Sequence, residues 1–275
     1  MAKVLSVVIP TLDGKIPAGA ALLADDAEVE LVVVKGVSPV GRARNEGIAR
    51  ARGEYVAWID ADDEITDDWA RKVKAAIQRR PDCAVIDVAS ETHGRTFSWR
   101  DSGRGLFADM LAGSVICAMY AFVAKRELYE GLKFDETRRQ SEDARVLAEL
   151  LPRIKSAVPA GRIYRYRYHA ESLVHTASRD DELDSLNLAI EWEKKWHDSP
   201  IGEVVFAYAC REAGWMYEWK GVKRESRAFL GENLLRAVKC AELNLGWKIK
   251  IVLIMLGLVW MLKPIYRILR LFRAR

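Results

Sequence analysis

Tyr55-Val56-Ala57-Trp58-Ile59 followed by Asp60-Ala61-Asp62-Asp63-Glu64 sets a short apolar run hard against a cluster of acids. Five apolar residues, rich in aromatic and β-branched side chains and preceded by Gly53, read as a buried strand. Ligands of open α/β sheets bind beyond the carboxyl ends of strands, so Asp60, Asp62 and Asp63 stand where a site is expected. Like charges this close are unfavourable unless a cation or hydrogen-bond donors offset them. A hard divalent ion such as Mg²⁺ or Mn²⁺ would do so, with phosphate oxygens filling its other positions. Spacing alone equally allows a solvated acidic turn that enters a helix.

Working outward, the first half alternates short apolar runs with helical patterns, the signature of an α/β domain with a mainly parallel sheet. Residues 4–9 form a strand pattern ended by Pro10, and residues 29–34 another ended by Lys35-Gly36. Residues 41–52 have helical spacing. Thr66 is placed to cap a helix through Arg80, with Asp67 and Asp68 in its first turn and Pro81 beyond. Residues 83–89 predict a fourth strand, 95–99 and 115–124 two more, and 106–111 a short helix. Ser141 is placed to cap a helix over 142–151, which Pro152 ends. Beyond residue 180 only helices are expected, over about 181–197, 202–220 and 223–244.

A chain of 275 residues, half apolar and 30% charged, can bury a real core in one large domain or two modest ones. Disorder and small disulfide scaffolds are excluded. The net charge of +4 is unevenly spread: residues 247–275 carry seven Lys/Arg and no acid, leaving the remainder at −3. With basic character confined to a tail, no nucleic-acid partner is expected. Cys83, Cys117, Cys210 and Cys240 are widely spaced with no CxxC pair, which fits reduced thiols in the cytoplasm. The apolar run at residues 4–9 is too short for a signal peptide.

The stretch from Gly41 through Arg44-Asn45 and Gly53-Glu54-Tyr55 to Asp60-Ala61-Asp62-Asp63 closely resembles the core signature of family 2 glycosyltransferases. Ser6-Val7-Val8-Ile9-Pro10-Thr11 looks like that family's first strand and nucleotide loop. Phe134-Asp135-Glu136 with Ser141-Glu142-Asp143 resembles its acceptor-side motif, and Tyr164-Arg165-Tyr166-Arg167-Tyr168-His169 with Ser172 the segment that closes its catalytic domain. The resemblance implies a Rossmann-like GT-A fold, a nucleotide-diphosphate sugar donor and inverting transfer. It implies that Asp60 contacts the donor, that Asp62 together with Asp60 binds a divalent metal (Mn²⁺ or Mg²⁺), and that Pro10 and Thr11 line the nucleotide pocket. Arg44 and Asn45 would then lie near the nucleotide or its phosphates. Asp143, with Glu142 beside it, is the candidate base that takes the proton of the attacking hydroxyl. For Arg44 the bland alternative is a solvated helix residue, and for Glu142 and Asp143 it is stabilisation of a helix start.

Two departures stand out. The family usually ends its second strand with an acidic turn, where this chain has Lys35-Gly36-Val37-Ser38; Lys35 could meet a phosphate or an acidic sugar, or be an exposed turn lysine. The Pro10-Thr11-Leu12-Asp13 loop lacks the usual aromatic and Asn. His169 and His175 could approach the site, whereas His93 and His197 have no motif around them. Residues 251–262 are twelve apolar residues flanked by cations. As a helix they would span about 18 Å, short of a hydrocarbon core of roughly 30 Å. An interfacial helix on anionic lipid is therefore expected, with packing on the domain or a partner subunit as its competitor.

The expected organisation is a GT-A domain over 1–178, a helical region over 179–246 and a basic membrane-associating tail over 247–275. The expected activity is transfer of a sugar to a hydroxyl of a lipid-linked glycan in cell-surface polysaccharide synthesis, at the cytoplasmic face of the membrane. The rivals are a nucleotidyltransferase and a catalytically silent relative in a membrane-bound glycan-assembly complex. A homo-oligomer is neither required nor excluded.

Overall fold

The structure is a computed structural model that describes residues 3–17, 19–168, 176–218 and 221–261. It divides into two compact units, Met1–Thr176 and Ala177–Arg275.

In the first unit, the apolar runs become β1 (Leu5–Thr11), β2 (Val29–Lys35), β3 (Tyr55–Trp58) and β5 (Cys83–Ser90). They are joined by β4 (Glu64–Ile65), β6 (Arg95–Phe97), β7 (Phe122–Lys125) and β8 (Ala157–Tyr166). The order across the sheet is β2-β1-β3-β7-β5-β8-β4, with β6 on β5. β1 runs parallel to both β2 and β3, Val8 lying opposite Val32 and Trp58. Pro10, Thr11, Lys35 and Asp60 therefore all emerge at one edge. Helices α1 (Val40–Arg50), α2 (Trp69–Ile77), α3 (Leu106–Leu111) and α4 (Glu142–Leu150) complete the unit.

The sheet is mixed rather than mainly parallel. β7 runs antiparallel to β3 and to β5, and β4 antiparallel to β8, while β5 and β8 are parallel. The expected strand at 115–124 is mostly a 3₁₀ turn, Met119–Ala121, and only Phe122–Lys125 pairs. Strand β8, the longest, has no clean sequence pattern: Pro159 and Gly161 flank a register shift against β5, and Arg162 and Arg165 break the apolar run. Thr66 does not cap α2. Its hydroxyl donates to Asp68 Oδ1 (2.7 Å), and the helix starts at Trp69 with no side-chain cap.

Close packing explains Gly53. A Cβ there would lie 2.5 Å from the backbone nitrogen of Ser6, so β3 can leave its turn beside β1 only without a side chain. The same corner holds a buried carboxylate. Glu30 accepts from Ser6 Oγ (2.7 Å), Arg52 N–H (2.9 Å) and Arg52 Nε (2.7 Å), and Gly53 N–H donates to Ser6 Oγ (2.8 Å). Burial works against that charge, but these donors hold the Glu30 carboxyl below its ordinary pKa.

The second unit is helical: α5 (Arg179–Trp196), α6 (Gly202–Met216), α7 (Lys223–Glu232), α8 (Leu234–Lys239) and α9 (Leu245–Met255). Leu186, Phe206, Leu230, Ile251 and Ile254 lie in its core. Ser178 and Asp181 form a capping box at α5. The single helix expected over 223–244 is split at Asn233, whose amide donates back to Phe229 O (2.9 Å). The apolar run from 251 does not begin a separate interfacial helix. Asn244 caps α9 by accepting from Trp247 N–H (3.1 Å), and Ile251 and Ile254 pack inward. Lys250, expected as a flanking cation, is buried against Glu218 (3.1 Å) and lies 4.7 Å from the Trp247 ring. No described helix is long and apolar enough to cross a membrane. Residues 262–275, with most of the basic tail, lie outside the described residues.

Candidate active site

Beyond β3 the chain turns tightly, Asp63 N–H donating to Asp60 O (3.2 Å). This turn separates the acids. Asp62 is exposed, whereas Asp63 is only 3% exposed. The Asp63 carboxyl accepts from Tyr164 Oη (2.7 Å) and from Arg167 N–H (2.9 Å), and Tyr164 Oη in turn accepts from Asp60 N–H (3.1 Å). Burial, reinforced by the charge of Asp60, pushes the Asp63 pKa up to about 8. Tyr164 stacks on Tyr120 with ring centroids 4.4 Å apart, and burial raises both phenols well above their ordinary range. Sequence reasoning placed Asp63 and Tyr164 in motifs near the site without giving either a role, and missed Tyr120. The third acid of the Asp60–Asp63 stretch was the one available signal, because a carboxylate that ligates nothing must find donors of its own.

Arg44, on α1, is 5% exposed and joins the two sequence-predicted acid pairs. Its guanidinium donates to Asp60 Oδ1 (3.3 Å) and to Glu142 Oε1, and it lies 5.8 Å from the centre of the Phe134 ring. Burial opposes its charge, but Asp60, Glu142 and Asp143 outweigh that and hold it fully protonated. Burial raises Glu142 to about 7, helped by the neighbouring Asp143. Burial raises Asp143 too, against Arg44 and the Ala144 N–H that donates to it (2.7 Å). Ser141 occupies the N-cap position of α4 but in a left-handed conformation (φ 60°) and without the expected side-chain cap.

Asn45 stands one residue on and is held by the protein itself. Its amide donates to Phe134 O (2.9 Å) and Glu136 Oε1 (2.9 Å) and accepts from Phe134 N–H (2.8 Å). Both amide hydrogens are thus committed to the protein, and Asn45 bridges α1 to the 134–136 segment. Gly41 permits the same approach, since a Cβ there would fall 2.4 Å from Asp135 O.

At the neighbouring strand end Thr11 is buried, donating to Asp13 Oδ1 (3.3 Å) and accepting from Gly14 N–H (3.1 Å). Lys35 is paired with Thr11 across β1 and β2, exposed, with its stem against Gly14. The structure thus brings Arg44, Asp60, Glu142 and Asp143 into one cluster, and sets Pro10, Thr11 and Lys35 at the same sheet edge. His169 and His175 lie outside the described residues. His93 shares a hydrogen bond with Ser90 Oγ (2.7 Å), and His197 is held by Glu193 (2.7 Å).

Among the described residues no group of three or more His, Cys, Asp or Glu forms a ready-made metal cage. The donor set at the turn still suits a hard divalent ion. Such ions take one or two carboxylates and complete their shell with water and phosphate oxygens. The exposed Asp62 and the partly exposed Asp60 are a set of that kind.

Comparison with known proteins identifies the fold and the family. Over 90% of the S. aureus protein TarS (residues 1–349) is covered by 95% of this chain, at 14% identity and a TM-score of 0.62. The same protein in complex with UDP-GlcNAc matches 90% of this chain and 81% of its own length, at 15% identity and a TM-score of 0.58. These likenesses establish a GT-A-like fold. Among curated proteins, EpsH of Bacillus subtilis (strain 168) is 31% identical over 71 residues, which are 26% of this chain and 19% of EpsH. The match thus spans under a fifth of that relative's length. The model of the family described as "Glycosyl transferase family 2" matches residues 13–151, from the turn after Thr11 through both acid pairs to the end of α4. By that match, which takes in half of its residues and every acid of the Arg44 cluster, the chain belongs to glycosyl transferase family 2 and is a transferase.

Proposed function

We propose that this transferase moves a sugar, with inversion, from a nucleoside-diphosphate sugar to an acceptor hydroxyl in a metal-dependent reaction. The observation that carries the proposal is the Arg44 cluster: one buried cation ties the acid at the end of β3 to the acid pair opening α4. Donor and acceptor functions are thereby held in register. A relative of the same fold has been solved with UDP-GlcNAc, which supports a donor of that class.

The roles follow from the chemistry. Pro10 and Thr11 line the nucleotide side and Lys35 meets a phosphate or an acidic sugar. Asp62 and Asp60 would hold the divalent ion, which as a Lewis acid offsets the charge that develops on the departing diphosphate. Asp143 takes the acceptor's proton on its carboxylate as the hydroxyl attacks from the face opposite the leaving group. Burial raises its pKa, and a carboxylate of higher pKa is a stronger base for this task. Glu142, engaged by Arg44, orients rather than reacts. The acceptor is a lipid-linked glycan of surface polysaccharide, met at the cytoplasmic membrane face, and the cations of the tail other than the buried Lys250 support that placement. Family membership favours sugar transfer over nucleotidyl transfer, and the donor-cleavage test below separates an active enzyme from a silent relative.

The test is nucleoside-diphosphate release from UDP-, GDP- and dTDP-sugars with lipid extract as acceptor, with and without Mn²⁺. Metal-dependent release from one donor is expected, falling at least about 100-fold in Asp62→Ala and Asp143→Asn. Unchanged release by folded Asp143→Asn would remove it from the mechanism.

A further inference from the structure

The second unit carries a basic concavity that sugar transfer does not use. A cavity of about 500 Å³, open to solvent, is lined by Tyr217, Lys223, Arg224, Arg227 and Ala228. Its lining holds three cations and no acid. The nearest acids in sequence are engaged elsewhere: Glu218 pairs with Lys250 (3.1 Å) and Glu225 with Arg179 (2.6 Å). Among the described residues neither Lys223 nor Arg224 has an ion pair or side-chain hydrogen bond. Both stand in the first turn of α7, where the helix dipole disfavours cations and favours an arriving anion. The cavity is large enough for a phosphate group, and Tyr217 completes its lining.

What borders the cavity selects the source of that phosphate. Arg227 donates to Met255 O (2.8 Å), which sets the cations beside the end of α9. Directly beyond that end Leu256 is 64% exposed and Trp260 70% exposed. Free phosphate needs cations alone. A head group on an acyl bilayer needs cations next to apolar and indole side chains that enter the interface. We infer that Lys223, Arg224, Arg227 and Tyr217 form a docking site for the phosphate head groups of an anionic lipid surface, with Leu256 and Trp260 inserted beside it. The inference rests on the membrane placement proposed above, and moves its anchor from the tail alone to a formed cavity on α6 and α7.

The full chain is tested by flotation with phosphatidylcholine vesicles, with and without 30% phosphatidylglycerol. Lys223→Glu/Arg224→Glu is compared with wild type and with Lys194→Glu/Lys195→Glu, which makes the same change of charge on α5. At about fivefold per basic residue, the α7 variant is expected to bind the anionic vesicles at least roughly 25-fold more weakly than the α5 control. Equal binding by the two variants would overturn the site while leaving membrane placement intact. Wild type that ignores anionic vesicles would overturn both. Calorimetric titration with inorganic phosphate supplies the other arm: phosphate binding lost in the α7 variant, with vesicle binding unaltered, would overturn the lipid source. Metal-dependent donor cleavage by the α7 variant in detergent confirms its fold, and keeps this outcome separate from that of the transferase proposal.

Discussion

Arg44 keeps its charge where almost no water reaches it, because carboxylates from two other elements surround its guanidinium. Removing one member of such a buried set strands the others. Arg44→Met is expected to cost about 3 kcal/mol in urea unfolding, and Glu142→Gln in that background to recover part of the loss. The resulting coupling should be about 1–3 kcal/mol, and additive losses would show that the contact carries no energy of its own. Arg44→Lys should not rescue transfer, since an ammonium lacks the fork that serves Asp60 and Glu142 together. Asp63 offers a separate test. With its pKa raised to about 8, the folded chain keeps a proton there that the unfolded chain releases near pH 4. The stability linked to that proton is complete below the ordinary carboxylate pKa and is lost as the pH rises through about 8. In chelator, unfolding free energies between pH 5 and 9 should therefore fall less steeply for Asp63→Asn than for wild type, by up to about 1.4 kcal/mol per pH unit. Equal slopes would mean that Asp63 is ionised in the fold. The sequence displays Asp62 and Asp63 as equals. Which one turns inward depends on Tyr164, a hundred residues later, and local spacing carries no trace of that.

Among elements, the strands dense in apolar residues, β1, β2, β3 and β5, were legible despite a single polar residue inside three of the runs (Ser6, Glu30 and Asp87), and so was α3, whose bounds coincide with the expected ones. Burial on both faces writes itself as a nearly continuous apolar run, whatever the tertiary context. β8 was not legible, because Pro159 and Gly161 flank its register shift and its exposed positions carry Arg162 and Arg165. Its place is fixed instead by a polar pin at its start. Asp82, just ahead of β5, accepts from Lys125 Nζ at the end of β7 (2.9 Å) and from the N–H groups of Lys155 (2.9 Å) and Ser156 (3.2 Å) ahead of β8. Burial opposes its charge, but those donors hold its carboxyl below the ordinary range. The stability this contributes is present above the ordinary carboxylate pKa and lost as the pH falls through the lowered one. Asp82→Asn is expected to lower unfolding stability by about 2 kcal/mol at pH 7 and by much less near pH 3. A deficit that does not shrink with acid would assign Asp82 a packing role only.

For the whole molecule, pattern reading found a first unit of strands and helices and a second of helices alone, since periods of two and 3.6 are set residue by residue. It could not find the reversed strand β7, nor the burial of Ile251 and Ile254. Both depend on what the rest of the chain offers as a neighbour. The acids of the candidate site stood out because they fall at the ends of regular elements. Spacing alone equally fitted a solvated turn and a helix start, and the Arg44 contacts that join them could not be read from either.

The Gly53 corner also bears on what kinship in such chains measures. Gly53 is demanded by a backbone atom of β1 at 2.5 Å, and Gly41 by a carbonyl at 2.4 Å, whatever the protein does. Asp62 and Asp143 satisfy no such steric demand. A descendant that had abandoned chemistry would be forced to keep both glycines and free to exchange both acids. Half of the signature therefore records ancestry and the other half records occupation, and the two halves can part company in a lineage. This chain carries the residues of both halves.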